Sequence, residues 1–549
     1  MKKSVLPFTC FLLLSALLTA QTKAKPGNTN LTETPKLVVG IVVDQMRWDY
    51  LYRYYNRYQD GGFKRLLNQG FSCENTFINF IPSYTAVGHT TIFTGSIPAL
   101  DGIAGNNWTE QLTGKVMYCT DDSTVESVGA ISPEGKMSPR NLLTSTITDE
   151  LRLATNFKSK VIGISLKDRA SILPAGHLGE AYWLDDASAG FITSTYYKTE
   201  LPAWVKDFNS KNRIASLIDN GWNTMYPINT YTQSDSDNKP WEGSFPGEAA
   251  PVFPHDIKQV YAKRTSSFRQ TPFGNTLTLE MAKAAFTANK MGQGATTDFL
   301  TINCASTDYV GHQFGPNSIE MEDTYLRLDK DLASFFSLLD STLGKGEYLV
   351  FLTADHGAAH SIGFMQEHSL PADYWYEKPL VDTLNKILET KYGVGNLVRS
   401  IMNYQVNYDL NKLDSMKGDY KAIKQTSVEY LQRQPGISFA VDMAEIGKSP
   451  VPEPLRSMII NGYNFKRSGG VQIILSPGWF ETYSKQGTTH GTWNPYDTHI
   501  PLVWYGWGIK QGSSNKEVYM TDIAPTLAAL LHIQMPNACV GKAIEAIAK

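Results

Sequence analysis

The sequence predicts one large α/β domain: a mainly parallel central sheet, helices on both faces, and two inserted, cap-like segments. Three observations predict it. Short apolar, β-branched runs recur without alternating, amphipathic stretches lie between them, and this rhythm extends along nearly the whole chain. The runs are Leu37 to Val43 (LVVGIVV), Lys160 to Ile164 (KVIGI), Phe299 to Cys304 (FLTINC), Tyr348 to Leu352 (YLVFL) and Pro501 to Tyr505 (PLVWY). A run apolar at successive positions suits a strand buried on both faces, as in a parallel sheet covered by helices. The stretches Leu277 to Met291 and Ser318 to Leu339 read as helices, and Ile523 to Leu531 comes after the last run. In this last one Thr521 or Asp522 is placed to cap and Pro525 suits a first turn. Residues 175–270, rich in aromatics, Asn, Ser and Pro, and 367–470, with charged helical stretches and weak strands, break the rhythm. Both read as insertions at loop ends, forming a cap beside the active site.

The N-terminus is read separately. Lys2 and Lys3 precede the apolar run Leu6 to Leu18, and small residues come next at Thr19, Ala20 and Ala24. That is the layout of a secretory signal peptide over residues 1–20, cleaved after Ala20 or Ala24. The run is shorter than the ~20 residues of a membrane span. Residues 21–35 read as a flexible leader and 36–549 as the catalytic domain. The expectation is an exported protein, periplasmic or secreted, with no integral membrane segment in the mature chain.

Composition narrows the function. The 549 residues carry 50 Lys plus Arg against 53 Asp plus Glu, a formal net charge of −3. This excludes the basic footprint that nucleic-acid binding needs, while 42% hydrophobic residues suffice for a large core. Five cysteines exclude a disulfide-built scaffold, and no Cys-x-x-Cys pattern is present. Export removes Cys10. The pairing of Cys73, Cys119, Cys304 and Cys539 stays open, with Cys304 read as a buried thiol inside its apolar run.

The chemistry lies in the residues just past the end of each strand. Val43 is followed by Asp44; Cys304 by Asp308 and His312 (STDYVGH); Leu352 by Asp355 and His356 (TADHG). His490 stands in GTTHGTWNPYDTHIP, before the run at Pro501. Ligands of open α/β sheets bind beyond the carboxyl ends of the strands, so residues far apart in sequence can converge there. Carboxylate and imidazole together suit divalent transition metals. Asp308 and His312, spaced i,i+4, share one side of a helical turn. Taken singly, each has a plainer role as turn former, helix cap or loop histidine; their joint placement at strand ends favours metal binding. Thr85, before a predicted helix in FIPSYTAVGHTTIFTG, is the candidate nucleophile, with N-capping as its plainer role and Ser83 as the competing hydroxyl. Lys167 and Arg169 in SLKDRA share a side if that segment is extended, and Asn106 stands in the Gly-containing loop GIAGNNW. His89, His360, His368 and His499 read as structural or supporting residues, and Tyr84, Met46 and Trp108 as core packing, with lining of the site as the alternative.

These strings resemble the alkaline phosphatase superfamily, and within it the phosphate-irrepressible alkaline phosphatases, which are related to the type I phosphodiesterase/nucleotide pyrophosphatase family. LVVGIVVDQMRWDY, GHTTIFTGSIPA, GIAGN, SLKDRASILPAGH, STDYVGH, GPNSIE, TADHGAAHS, GTTHG and MTDIAPT carry the resemblance from Leu37 to Thr526. It implies an alkaline-phosphatase-like fold and a two-zinc phosphomonoesterase acting through a covalent phosphothreonine. By resemblance, Asp308, His312 and His490 hold one zinc, Asp44, Asp355 and His356 the other, with Thr85 reaching the latter. Asn106, Lys167 and Arg169 are implied to contact the phosphoryl oxygens. Small phosphate monoesters are the implied substrates, and the protein is expected to act as a monomer. The alternatives are a phosphodiesterase or nucleotide pyrophosphatase on the same scaffold, and an inactive exported zinc- or phosphate-binding protein.

Overall fold

The computed structural model describes residues 34–417, 419–482 and 484–548. The expected signal peptide and nearly all of the expected leader lie outside the described residues. The central sheet has ten strands: β1 (Leu37–Val43), β2 (Phe71–Cys73), β3 (Ser127–Val128), β4 (Val161–Ser165), β5 (Glu180–Asp185), β6 (Gly190–Ser194), β7 (Asp298–Cys304), β8 (Tyr348–Thr353), β9 (Leu502–Gly506) and β10 (Gly512–Ser514). Their order is β10-β2-β9-β8-β1-β7-β4-β5-β6-β3. The central five, β8, β1, β7, β4 and β5, are parallel, and antiparallel β9 and β6 flank them.

Every residue of β1, β4, β7 and β8 is buried, which is why their sequences do not alternate. Fully burying a Val, Leu or Ile side chain contributes about 1.5–3 kcal/mol. β1, apolar at every position but Gly40 and paired on both edges, therefore anchors the sheet. Its register sets the site. Val43 lies opposite Cys304, and Val42 opposite Thr353, so the segments after β1, β7 and β8 leave the sheet at one end.

Six helices matter for the site: α1 (Thr85–Thr94), α2 (Asp168–Ala175), α3 (Phe273–Ala288), α4 (Ser306–Phe314), α5 (Ile319–Leu343) and α6 (Ile523–Leu531). α1 packs with α2 and α6, whereas α3, α4 and α5 form a second group, so helices cover both faces of the sheet. All ten residues of α1 are buried. Its threonines tolerate this by bonding back along the helix: Thr90 Oγ1 donates to the Ala86 carbonyl and Thr94 Oγ1 to that of Thr90, each at 2.8 Å. A Cβ at Gly88 would overlap the backbone carbonyl of Asp355. Glycine there lets α1 lie directly against the loop after β8.

The structure departs from the sequence-based expectation in several places. Within 175–270, expected as an insertion, β5 and β6 are buried strands of the main sheet. Their apolar character is aromatic (Tyr182, Trp183, Phe191) and interrupted by Glu180, Asp185 and Thr193, which hides it from a search for β-branched runs. In the region of 367–470, helices Glu377–Tyr392 and Tyr420–Leu431 pack on a separate four-stranded antiparallel sheet of Val398–Met402, Gln405–Tyr408 and Ile437–Asp442, with its fourth strand, Val471–Leu475, just past the expected bound. Its core includes Leu384, Val406, Ile423 and Ile473. Asp522 precedes α6 but does not cap it; its carboxylate accepts from the Tyr519 and Lys542 amides instead. The four cysteines among the described residues are free thiols, three of them buried.

The contact at Gly88 yields a test. Gly88→Ala must push α1 away from the Asp355 carbonyl, and an overpacked core position costs about 1–3 kcal/mol. A lowered urea midpoint is expected; an unchanged midpoint would mean the helix seat is not tight.

Candidate active site

Asp44 stands directly after β1, and its amide donates to the Cys304 carbonyl at 3.2 Å. Asp355 and His356 come just after β8. Asp308 lies in the first turn of α4 and His312 in its last, with His312 Nε2 3.1 Å from Asp308 Oδ1. His490 arrives on the loop ahead of β9. Three overlapping groups have ligand atoms within 4.8 Å of one another: Asp308, His312 and His490; Asp44, Asp308 and His356; and Asp44, His89 and Asp355. The six carboxylate and imidazole residues expected from sequence therefore converge, and His89 joins them.

The imidazoles are aimed. Nδ1 of His312, His356 and His490 lies 2.8, 2.9 and 2.8 Å from the carbonyls of Thr488, Gly357 and Ser83. A carbonyl can only accept, so each Nδ1 carries the proton and each Nε2 keeps its lone pair for the cluster. The His356 and His490 rings stack at 3.4 Å. His89 has a different job: its Nδ1 donates to the Thr85 carbonyl at 2.9 Å and lies 3.3 Å from Asp355 Oδ2.

Electrostatics show what the cluster lacks. Asp44, Asp308 and Asp355 are buried, and Asp44 Oδ1 and Asp355 Oδ2 have no hydrogen-bond partner. Burial, reinforced by the neighbouring Asp355, pushes the Asp44 carboxyl well above its usual range. Burial acts the same way on Asp308 and Asp355, but nearby imidazoles and Lys167 outweigh it and hold both below theirs. The Lys167 ammonium, 2% exposed, sits 3.0 Å from Asp44 Oδ2 and 2.6 Å from Asp308 Oδ2. Burial would lower its pKa, yet the Asp308 and Asp44 carboxylates raise it. One ammonium does not balance three carboxylates. Unpartnered carboxylate oxygens beside inward imidazole lone pairs form a donor set that suits divalent metal ions.

Thr85 is the first residue of α1, and its side chain does not cap the helix, whose N-cap is Tyr84. Thr85 Oγ1 lies 3.4 Å from His356 Nε2, inside the cluster. Ser83, the competing hydroxyl, is turned away and donates to the Thr492 carbonyl at 2.9 Å. Asn106 Oδ1 accepts from the Ala86 amide at 2.9 Å, so its NH₂ remains as the available donor. Lys167 and Arg169 do not lie on an extended segment: α2 begins at Asp168, with Lys167 as its N-cap. Both still line one cavity of about 390 Å³, with Tyr118, Trp183 and Tyr309. A second cavity, of about 530 Å³, is lined by His312, His490, Tyr84 and Tyr404, which agrees with the site-lining alternative for Tyr84.

Two supporting residues are not visible from sequence alone. Tyr118 Oη donates to Asp168 Oδ1 at 2.8 Å and accepts from Arg169 at 3.1 Å, which fixes the guanidinium. Gln45, next to Asp44, ties the carboxylates together: its backbone amide donates to Asp355 Oδ1 at 3.1 Å and its Nε2 to Asp308 Oδ1 at 2.7 Å. Its φ of 64° is costly for a residue other than glycine. A Cβ at Gly311 would overlap Gln45 Oε1, so the glycine of STDYVGH makes room for this side chain. That Asp-Gln pairing with a distant glycine was the available signal, and neither residue reveals it alone.

Fold and site together define a member of the alkaline phosphatase superfamily. Residues 38–499 match the family described as type I phosphodiesterase / nucleotide pyrophosphatase, and the chain belongs to it. It is 55% identical over 539 residues to alkaline phosphatase PafA of Elizabethkingia meningoseptica, covering 98% of this chain and 97% of that one. Alkaline phosphatase PhoV of Synechococcus elongatus is 53% identical over 516 residues, 94% of this chain and 93% of its own. A protein named calcium-transporting ATPase, from Myroides odoratus, is 51% identical over 520 residues, 93% and 94% of the two chains. The crystal structure of wild-type PafA superimposes with a TM-score of 0.92, covering 94% of this chain and 99% of that one.

Removing an outer partner of a metal-ligating carboxylate lowers metal affinity about 10–100-fold. Gln45→Met keeps the volume and deletes the donor to Asp308. A loss of that size in chelator-competition titrations is expected, and wild-type retention of metal would show that Gln45 only fills space.

Proposed function

We propose that the protein is an alkaline phosphatase that hydrolyses phosphate monoesters to an alcohol and inorganic phosphate through a covalent phosphothreonine on Thr85. The observation that carries this reading is a buried, non-capping threonine hydroxyl lying against a carboxylate–imidazole cluster to which Lys167 is bonded. Asp308, His312 and His490 would hold one zinc ion, and Asp44, Asp355 and His356 a second, with Thr85 within reach of the second. When bound, such a metal pair supplies charge to both the attacking and the leaving oxygen of an in-line displacement.

The chain's own residues do the rest. Thr85 Oγ1 gives up its proton and forms a bond to phosphorus as the ester P–O bond breaks, and the departing alkoxide takes up a proton and is released as the alcohol. Water then displaces Thr85 from the same phosphorus, releasing inorganic phosphate and restoring the hydroxyl. Because α1 is buried along its whole length, Thr85 is held rigidly at its start. Asn106, oriented by the Ala86 amide, donates to a phosphoryl oxygen. Lys167 and Arg169 face the charge on the transferred group. The expected signal peptide over residues 1–20 would export the enzyme.

The family description favours a second reading, a phosphodiesterase. A monoester dianion carries one more negative charge than a diester, so the buried Lys167 and the fixed Arg169 favour the monoester. The name of the Myroides relative points to ATP, whose terminal phosphoryl group is also singly substituted and suits the same site. Among the described residues, no helix is long and apolar enough to cross a membrane.

Thr85→Ala is expected to lower turnover of p-nitrophenyl phosphate by about 10³-fold or more; near wild-type turnover would remove Thr85 from the mechanism. For the wild-type enzyme, kcat/KM for an aryl monoester is expected to exceed that for its methyl diester. The reverse order would establish the diesterase reading.

A further inference from the structure

A turn of the separate four-stranded sheet lies beside the active site. Val398–Met402 and Gln405–Tyr408 are joined by Asn403 and Tyr404, with φ of 57° and 59°. A two-residue hairpin turn with both central residues in the left-handed region is the kind that asparagine favours. Tyrosine rarely adopts this conformation, and strain of this kind persists where surrounding contacts enforce it. Here Tyr404 lines the cavity with Tyr84, His312 and His490.

Asn403 faces the other way, onto the loop that carries Asn106. Its Nδ2 donates to the Asn107 carbonyl at 2.8 Å and to that of Ala104 at 3.4 Å, one on each side of Asn106. Gly105 permits this approach, since a Cβ there would lie 2.5 Å from Asn403 Nδ2. From the opposite side the Asn106 carbonyl accepts from Cys119 at 3.0 Å. The loop continues into a hairpin in which Asn107 pairs with Tyr118, the residue that holds Arg169. Gln111 ties this hairpin again to the second sheet, donating to Asn407 Oδ1 at 2.8 Å.

We propose that Asn403 is a positioning residue for Asn106: the turn of the second sheet clamps the GIAGNN loop and thereby sets where the Asn106 amide meets the phosphoryl group. The proposal rests on the reading of Asn106 as a phosphoryl contact. It also assigns a purpose to the segment 367–470, which stabilises part of the substrate site from outside the main sheet.

Two substitutions separate the clamp from the turn. N403G keeps a backbone suited to positive φ and deletes both donated bonds; N403D keeps the turn preference and replaces the donating nitrogen with oxygen. The measurement is kcat/KM for p-nitrophenyl phosphate in the full-length enzyme, for each variant alone and combined with N106A. Misplacing a substrate contact from outside the chemistry costs up to about 100-fold. A loss of about tenfold is expected for N403G and N403D in the wild-type background, and almost none in the N106A background, because the clamp then has nothing to place. Wild-type kcat/KM in N403D would overturn the proposal, and so would a loss that adds in full to that of N106A, the mark of a merely structural role. N106A with wild-type activity would instead overturn the reading of Asn106, and this proposal with it.

Discussion

Three carboxylates held together away from water are the constraint on which the rest of the site depends. Asp44, Asp308 and Asp355 are buried at the ends of parallel strands, where like charges repel far more strongly than in solvent. A fold keeps such a group only if it supplies compensating charge and hydrogen bonds. Lys167 lies between two of the carboxylates, Gln45 joins two of them, and three imidazoles turn their lone pairs inward. The proposed metal ions would complete the compensation. The cluster is thus an acidic cavity whose electrostatic deficit matches what a phosphate-handling metal centre carries.

The sheet makes this arrangement inevitable once its register is set. With Val43 opposite Cys304 and Val42 opposite Thr353, the segments carrying Asp44, Asp308 and Asp355 emerge side by side. Thr85, the proposed nucleophile, begins a helix pressed against the same strand end, which Gly88 permits. The cationic side comes from the N-terminus of α2, next to β4, and is steadied by the hairpin that bears Asn106 and Tyr118. Each element is rigid for a reason outside the chemistry, namely the apolar burial of the strands and of α1.

Much of this was legible in the sequence, and the reasons are local. β1, β7 and β8 announce themselves because they are buried on both faces and so are apolar at consecutive positions. The proposed ligands Asp44, Asp308, Asp355 and His356 stand at short offsets from those strands, and the i,i+4 spacing of Asp308 and His312 survives intact on α4. What escaped was non-local or masked. β5 and β6 belong to the main sheet but carry aromatics among charged residues. Lys167 and Arg169 face one cavity although the helix begins between them. Gln45 reaches Asp308 across 263 positions, and Asn403 reaches Asn107 across 296. No spacing rule encodes contacts of that kind; they arise only from the assembled sheet.

The central claim is that this cluster holds a pair of metal ions as part of the working enzyme. The most direct measurement is the metal content per chain of protein purified without chelator, by inductively coupled plasma mass spectrometry after gel filtration. About two equivalents of zinc per chain are predicted, removed together with phosphatase activity on exhaustive chelation and restored together on adding zinc. Fewer than one equivalent of any divalent metal in a fully active preparation would contradict the account.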